Sequence, residues 1–150
     1  MGRLILGRPV VPGEAQGLVA ASREPLSFWG GYDYHTGEII DRRHPLSGQR
    51  VGGCILALPF TRGSSTTTAV LLEAVKAGTA PAAILTTQVD TFFALASIVA
   101  DEMYHSPIPL VALDEADFSR LVSGMFATVK ADGQVILREA ESLKASPHPR

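Results

Sequence analysis

The sequence lacks the features that define several large classes of protein. Its 150 residues contain a single cysteine, Cys54, so no disulfide can form within the chain, and one thiol alone does not hold an iron–sulfur cluster. It has no apolar run of about eighteen residues, which excludes a transmembrane helix, and its first residues lack a signal-peptide pattern. The net charge of −2 gives no support to nucleic-acid binding, which favours a basic surface. We therefore expect a cytoplasmic protein that binds neither membrane nor nucleic acid.

The short motifs of several common enzyme classes are also missing. The chain has no P-loop and no G-x-G-x-x-G turn for binding phosphate, and no G-x-S-x-G elbow that would present a hydrolytic serine. Its four histidines are His35, His44, His105 and His148, and none has the H-x-x-x-H spacing of a zinc site. We expect no metal site within this chain.

The composition that remains is ordinary for a globular domain, with 46% hydrophobic and 19% charged residues. A chain of 150 residues is long enough to bury a sizeable core. We expect one domain over residues 1–150, with an ordered core over about 3–138 and a frayed tail over 142–150.

Apolar runs and turn residues predict strands first, and alternating strands and helices afterwards. The predicted strands are 4–6 with 10–11, 15–21, 39–40, 54–58, 82–86, 110–113, 125–129 and 134–137, and the predicted helices are 64–76, 91–102 and 114–121. The opening strand is expected to form a hairpin with 15–21, and 125–129 is expected to form one with 134–137. This order predicts an α/β fold with β/β/α layers, in which the alternating elements supply a parallel sheet.

Two expectations concern which side chains are buried. Cys54 lies inside an apolar run and is expected to be a buried, unreactive core residue. The helix at 91–102 is expected to bury Phe92, Leu95, Ala96 and Val99, which recur at helical spacing.

The chain is organised around the turn that joins the strand at 54–58 to the helix at 64–76. Gly63 permits a tight turn or the close approach of a ligand. Ser64 or Ser65 can cap the helix, whose free N–H groups attract an anion, and Arg62 adds a bidentate binder of carboxylate or phosphate. The turn is thus either half of an active site, completed by another chain, or a plain strand-to-helix connection with a serine cap.

Four segments, in this order, resemble the small subunit of the aconitase X family: 25–33 (PLSFWGGYD), 36–41 (TGEIID), 44–48 (HPLSG) and 58–65 (LPFTRGSS). The resemblance covers about residues 3–138. It implies the swivelling β/β/α domain related to the mobile C-terminal domain of aconitase. It also implies a heteromeric hydro-lyase, in which a large subunit is the partner and carries the iron–sulfur cluster, and over which this chain closes.

The resemblance also implies roles for the residues of the turn. The serine directly after the glycine, Ser64 here, resembles the aconitase base that removes the Cα proton of a hydroxy acid substrate. A serine alkoxide is costly, and the helix N-terminus and Arg62 would stabilise its charge. Arg62, Gly63 and Ser65 are then expected to bind substrate. The alternative is that Ser64 is only a helix cap.

The aromatic and glycine-rich loop upstream is expected to contribute to the same site. Phe28 is expected to lie in the core, whereas Tyr32 to Thr36 are expected to face the cleft shared with the partner. Asp33, Thr36 and His44 would then line the substrate site or orient its groups. The alternative is a polar network that only holds the loop.

Two reactions are known for the aconitase X family, the dehydration of cis-3-hydroxy-L-proline and that of mevalonate 5-phosphate. Archaeal small subunits typically continue the turn as Gly-Ser-Thr-Val-Gly-Ser-Tyr, whereas residues 63–69 here read GSSTTTA. The missing second glycine and tyrosine favour the hydroxyproline reaction, which gives Δ1-pyrroline-2-carboxylate after tautomerisation. Phosphomevalonate dehydration is the alternative. A non-catalytic binding or regulatory module is a further one, which the presence of Ser64 and Arg62 disfavours.

Overall fold

A computed structural model describes residues 2–62 and 66–139 of the chain. Its main feature is an eight-stranded mixed sheet with the strand order β1-β10-β9-β3-β6-β7-β8-β2, accompanied by a small sheet of β4 and β5. The strands are β1 Arg3–Leu6, β2 Arg8–Val11, β3 Ala15–Ala21, β4 Tyr32–Asp33, β5 Glu38–Ile39, β6 Ile55–Ala57, β7 Ala83–Thr86, β8 Leu110–Ala112, β9 Phe126–Val129 and β10 Gln134–Arg138. The helices are α1 Thr66–Ala77, α2 Thr91–Tyr104 and α3 Glu115–Phe118.

The sheet is nearly closed because its two outermost strands are consecutive in the sequence. β1 pairs antiparallel with β10 and β2 pairs antiparallel with β8, and Gly7 alone separates them. The Gly7 N–H donates to the carbonyl oxygen of Gly133 at 3.0 Å. A Cβ at Gly7 would lie 2.7 Å from Leu113 Cδ2 and 2.9 Å from that carbonyl oxygen. The lack of a side chain therefore allows one kinked segment to join both edges of the sheet.

This closure overturns the expected opening hairpin. Neither β1 nor β2 pairs with β3, which instead lies between β9 and β6. The two early strands take partners that are distant in the sequence, such as Ile136 for Leu4 and Ala112 for Arg8. The hairpin expected near the end is confirmed, since β9 and β10 are antiparallel neighbours.

The parallel half of the sheet consists of β3, β6, β7 and β8 and is covered on both faces. Ile55 and Ala57 point into the closed sheet, where they pack with buried residues of the antiparallel half. Leu56 and Leu58 point the other way and pack with Leu71 of α1 and with other buried residues of the helical layer. Strands buried on both faces need apolar residues at every position, which explains why 54–58 is a continuous apolar run. The predicted β/β/α layers with a parallel sheet are confirmed.

Helix α1 lies close to its expected position and ends where predicted. Gly78 has a positive φ of 78°, a conformation that glycine adopts without a steric penalty, and its N–H donates to the carbonyl oxygen of Val75 at 3.1 Å. The described part of α1 buries Thr67, Val70, Leu71 and Ala74.

The buried face expected for α2 is mostly wrong. The helix buries Phe93, Ala96, Ser97 and Ala100, whereas Leu95 is 44% exposed. The hydroxyl of Ser97 explains the difference, since it donates to the carbonyl oxygen of Ile108 at 2.6 Å and accepts from the Ile108 N–H at 2.8 Å. A serine whose hydroxyl is paired in this way can be buried like the small alanines beside it.

Two smaller expectations also need adjustment. Helix α3 is shorter than the expected 114–121, and Asp114 occupies its N-cap position without a side-chain cap hydrogen bond. Among the described residues, no helix combines the length and apolar character required to cross a membrane. The expected tail over 142–150, with His148, lies outside the described residues.

Candidate active site

The candidate turn follows β6 at the edge of the sheet where the parallel strands end. The carboxyl ends of β3, β6, β7 and β8 lie along this edge, which is where open α/β sheets bind ligands. The turn is described as far as Arg62, which is exposed. The predicted base Ser64 and its neighbours Gly63 and Ser65 lie outside the described residues.

A buried carboxylate fixes Thr61, one residue before Arg62. Oδ2 of Asp90 accepts hydrogen bonds from Thr61 N at 2.7 Å and from Thr61 Oγ1 at 2.9 Å. Oδ1 of the same carboxylate accepts from the N–H groups of Phe92 and Phe93 at 3.0 and 3.1 Å. Asp90 is only 7% exposed. It therefore caps α2 and at the same time holds the residue that precedes the candidate turn.

The contact of Asp90 with Thr61 is a feature of the candidate site that the sequence analysis did not predict. An aspartate directly before a predicted helix is a recognisable cap signal, so its bonds to the first turn of α2 were within reach of sequence reasoning. Its second oxygen binds Thr61, which is 29 positions away. No local sequence pattern indicates a hydrogen bond between residues so far apart in the chain.

A second segment holds the turn from another side. Leu26 forms a parallel bridge with Thr61, and the carbonyl oxygen of Leu26 accepts from the Arg62 N–H at 3.1 Å. The backbone of Arg62 is thereby fixed while its side chain remains exposed.

The side chain of Arg62 lines a cleft of about 420 Å³. Arg42 and Arg43 line the same cleft, as do the acidic residues Glu24 and Asp41. Guanidinium groups bind carboxylate and phosphate through paired hydrogen bonds, and here they outnumber the carboxylates. The cleft therefore suits an anionic ligand.

His44 also lines this cleft, but its ring is only 5% exposed. Nδ1 accepts from the Leu46 N–H at 3.1 Å, and Nε2 lies 3.1 Å from the carbonyl oxygen of Glu24. A ring nitrogen that accepts is unprotonated, so Nε2 carries the proton and donates to Glu24. Both nitrogens are thus engaged by backbone groups, an arrangement that holds the loop at 24–26 against the loop at 44–46.

Asp33 is the last residue of β4 and Thr36 lies in the turn between β4 and β5; neither is among the residues that line the arginine cleft. Oδ1 of Asp33 accepts from the His35 N–H at 2.9 Å, and Oγ1 of Thr36 accepts from the Glu38 N–H at 3.2 Å. Both side chains are half-buried and bind backbone two residues further along the chain, a pattern that stabilises turns. Their contact with substrate stays a prediction.

The aromatic residues of this loop divide differently from the expectation. Phe28 is buried, as predicted, and packs against Tyr32 and Phe93 with ring centroids 5.2 and 5.6 Å away. The expectation that Tyr32 faces a partner is wrong, since it is 3% exposed and its hydroxyl donates to the carbonyl oxygen of Thr79 at 2.8 Å. Burial, and to a lesser extent the thiolate of Cys54, raises the pKa of Tyr32.

Cys54 is half-buried rather than fully buried as expected. Its Sγ lies 3.8 Å from the carbonyl oxygen of Arg50, and burial raises the pKa of the thiol above its ordinary value. Over residues 2–62 and 66–139, no three or more histidine, cysteine or acidic side chains come together in a group that would hold a metal ion. The described side chains therefore do not fit an iron–sulfur cluster.

A mixed sheet that nearly closes on itself, helices over its parallel half and an arginine-bearing turn at the carboxyl edge define a swivel-type α/β domain. The family model of the aconitase X swivel domain matches residues 4–137, and the chain belongs to this family. The fold agrees with the crystal structure of Thermococcus kodakaraensis aconitase X in its holo-form, with a TM-score of 0.81 and 37% identity over 91% of this chain and 99% of that chain.

Two relatives with assigned activities show how this domain is used elsewhere. The cis-3-hydroxy-L-proline dehydratase of Pseudomonas aeruginosa is 41% identical over 98% of this chain. The phosphomevalonate dehydratase small subunit of Thermococcus kodakarensis is 39% identical over 90% of this chain and 97% of its own length. The present chain spans only about a quarter, 27%, of the Pseudomonas enzyme. Both relatives are dehydratases or dehydratase subunits.

Proposed function

We propose that the chain is the swivelling small subunit of an iron–sulfur hydro-lyase that dehydrates cis-3-hydroxy-L-proline to Δ1-pyrroline-2-carboxylate. The observation that carries this proposal is the 41% identity with the Pseudomonas hydroxyproline dehydratase over 98% of the chain. The turn at 63–69, which lacks the second glycine and the tyrosine typical of archaeal small subunits, supports the same choice. The enzyme acts in the cytoplasm.

In this proposal the chain supplies the base and part of the substrate site. The alkoxide of Ser64 takes the Cα proton, and the electron pair of that C–H bond forms the C=C bond as the hydroxyl on the adjacent ring carbon leaves with the C–O electron pair. The proton held by Ser64 is then returned to the released hydroxide, which gives water and restores the alkoxide, and the enamine tautomerises to the product. Arg62 binds the substrate carboxylate in bidentate fashion. Its backbone N–H is held by Leu26, so the side chain extends from a fixed point of the backbone. Gly63 and Ser65 leave room for the ligand and offer hydrogen bonds to it.

The remaining parts of the site come from a partner. The small-subunit relatives imply a large subunit, and we assign the iron–sulfur cluster to it, because the described residues of this chain do not group into a set of cluster ligands. The domain closes over that subunit with the edge that bears Arg62. His44 acts beside this edge by holding the loop at 24–26. The turn that contains Asp33 and Thr36 is bonded instead to Thr79, before β7, and to Val51, before β6, so these two side chains would reach the substrate only from the opposite end of the parallel strands.

Phosphomevalonate dehydration is the second candidate, and one observation favours it. The cleft beside Arg62 is also lined by Arg42 and Arg43, and several guanidinium groups in one cleft could bind a phosphate as well as a carboxylate. The archaeal small-subunit relative, which this chain matches over 97% of that relative's length, agrees with this candidate.

The test is to co-express the chain with an aconitase X large subunit and to supply each substrate separately. Proton NMR follows the loss of the Cα proton of cis-3-hydroxy-L-proline and, in a parallel sample, the appearance of the vinyl proton of anhydromevalonate phosphate. We expect turnover of hydroxyproline only, and none by the large subunit alone. Turnover of mevalonate 5-phosphate only would establish the second candidate, and turnover of neither would favour a non-catalytic module.

A further inference from the structure

We propose that Asp90 is a positioning residue that fixes the base-bearing turn relative to helix α2. The inference rests on the proposed function, in which the turn after Arg62 carries the base. Asp90 touches neither the substrate nor the reacting atoms. It acts through Thr61, three positions before Ser64.

The geometry of the carboxylate supports this role. Each oxygen accepts two hydrogen bonds, one pair from Thr61 and the other from the first turn of α2, all between 2.7 and 3.1 Å. A buried carboxylate that accepts four bonds in two directions has little freedom to move. It holds Thr61 against the N-terminus of α2, whose buried residues Phe93 and Ala96 belong to the core of the helical layer.

The charge of Asp90 is satisfied by the elements that it joins. The N-terminus of a helix carries partial positive charge, which stabilises an adjacent carboxylate, and the Thr61 N–H and hydroxyl complete the set of donors. Hydrogen bonds to a charged acceptor are roughly twice as strong as those between neutral groups. This link is therefore stronger than an ordinary loop contact.

The same connection between β7 and α2 holds the turn at a second point. The N–H and the hydroxyl of Thr87 both donate to the carbonyl oxygen of Pro59, at 3.2 and 3.1 Å. The chain is thus fixed at Pro59 and again at Thr61, while Leu26 holds Thr61 and Arg62 from another side. Thr61 and Arg62 are the last described residues before the base-bearing turn, so in this proposal a shift of Thr61 would be passed on to that turn.

Asp90→Asn is the variant that separates positioning from folding. Asparagine is as good a helix cap as aspartate, so its amide oxygen can keep both bonds to α2. The amide nitrogen then faces the Thr61 N–H, and two donors cannot bond to each other. The substitution therefore releases the backbone of Thr61 while it preserves the cap.

Two measurements test the effect of Asp90→Asn on Thr61 and on catalysis. Amide hydrogen exchange of the isolated chain reports whether the Thr61 N–H is released, and steady-state kinetics of the complex with the large subunit report whether the base is misplaced. Asp114→Asn is the matched control, because it makes the same change of charge at an exposed cap position whose side chain makes no cap hydrogen bond. Thr61→Val removes one of the two Thr61 bonds, and Thr61→Ser keeps both donors.

For Asp90→Asn we expect Thr61 exchange at least tenfold faster and kcat lower by roughly ten- to a hundredfold, since small misplacements of catalytic groups have effects of this size. KM should change less than threefold, because the Arg62 N–H keeps its bond to Leu26 and the long side chain can adjust. The decrease in kcat should be smaller for Thr61→Val than for Asp90→Asn. Thr61→Ser, which keeps the hydroxyl, should have a kcat close to that of the unmodified complex. Far-ultraviolet circular dichroism should remain that of the unmodified chain.

Unchanged Thr61 exchange in Asp90→Asn would overturn the link itself. Faster exchange with kcat equal to that of Asp114→Asn would show that the link exists but positions nothing catalytic. A loss of kcat matched by a loss of folded protein would reduce Asp90 to a structural cap. Absence of turnover in the unmodified complex would instead refute the proposed function, and with it the catalytic part of this proposal, whatever the exchange data show.

Discussion

Replacing His44 by alanine tests whether this residue holds the loops beside the cleft or binds the substrate. The ring is 5% exposed and makes two hydrogen bonds to backbone groups, from the Leu46 N–H and to the Glu24 carbonyl oxygen. Each such bond contributes about 1 kcal/mol, and both backbone groups would be left unpaired. With the space left by the ring, the loss should be about 2–4 kcal/mol of the free energy of unfolding.

Urea denaturation followed by circular dichroism measures this loss, and thermal unfolding should show a midpoint lower by roughly 10 °C. His35→Ala is the control, since His35 is exposed and exposed substitutions change stability by about 0.5 kcal/mol or less. A loop-holding His44 lowers stability, and turnover falls only as far as the loop shifts. If His44→Ala unfolded like His35→Ala and yet raised KM tenfold or more, the structural reasoning would be wrong and His44 would be a substrate ligand.

Three further predictions concern the fold, the thiol and the cleft. Gly7→Ala should destabilise the chain by about 1–3 kcal/mol in urea denaturation, because its Cβ would lie 2.7 Å from Leu113 Cδ2 and 2.9 Å from the Gly133 carbonyl oxygen; an unchanged midpoint would contradict the tight closure. Cys54 should react with iodoacetamide more slowly at pH 8 than a free thiol and accelerate as the pH rises, since burial raises its pKa and only the thiolate reacts; equal rates at pH 8 would refute this. Arg62→Lys should raise KM about tenfold with kcat changed less than threefold, because an ammonium group cannot form the paired bonds of a guanidinium; an unchanged KM would remove Arg62 from the substrate site.

The parts of the fold that follow from local patterns could be predicted from the sequence. The turn at Asp132-Gly133 indicates the hairpin of β9 and β10, and Gly78 indicates the end of α1. The layers were predictable because the continuous apolar run at 54–58 is typical of a strand buried on both faces.

The parts that depend on distant partners could not be predicted in this way. The pairing of β1 with β10 is decided by closure of the sheet at Gly7, and no pattern near residue 7 reveals it. The buried face of α2 was misjudged because Ser97 counts as polar in a pattern, although Ile108 satisfies its hydroxyl.

In the candidate site, too, the local features could be predicted and the contacts between distant residues could not. Arg62 and its turn stand out locally, because a basic residue, a glycine and two serines before a helix favour anion binding. The carboxylate that fixes Thr61 does not stand out, since Asp90 lies in a different loop. Tyr32 was misplaced because an aromatic residue beside glycines does not reveal whether its hydroxyl has a buried acceptor.

The most direct test of the central proposal is the turnover of Ser64→Ala in the complex with the large subunit. Loss of a helix cap costs about 1 kcal/mol, and Ser65 remains to replace it, so the circular dichroism spectrum and the association of the subunits should be unchanged. Loss of the base should lower kcat by roughly a hundredfold or more. We therefore expect a folded, assembled and nearly inactive complex. A complex with near-normal turnover would reduce Ser64 to a helix cap and contradict the proposal that this chain supplies the base.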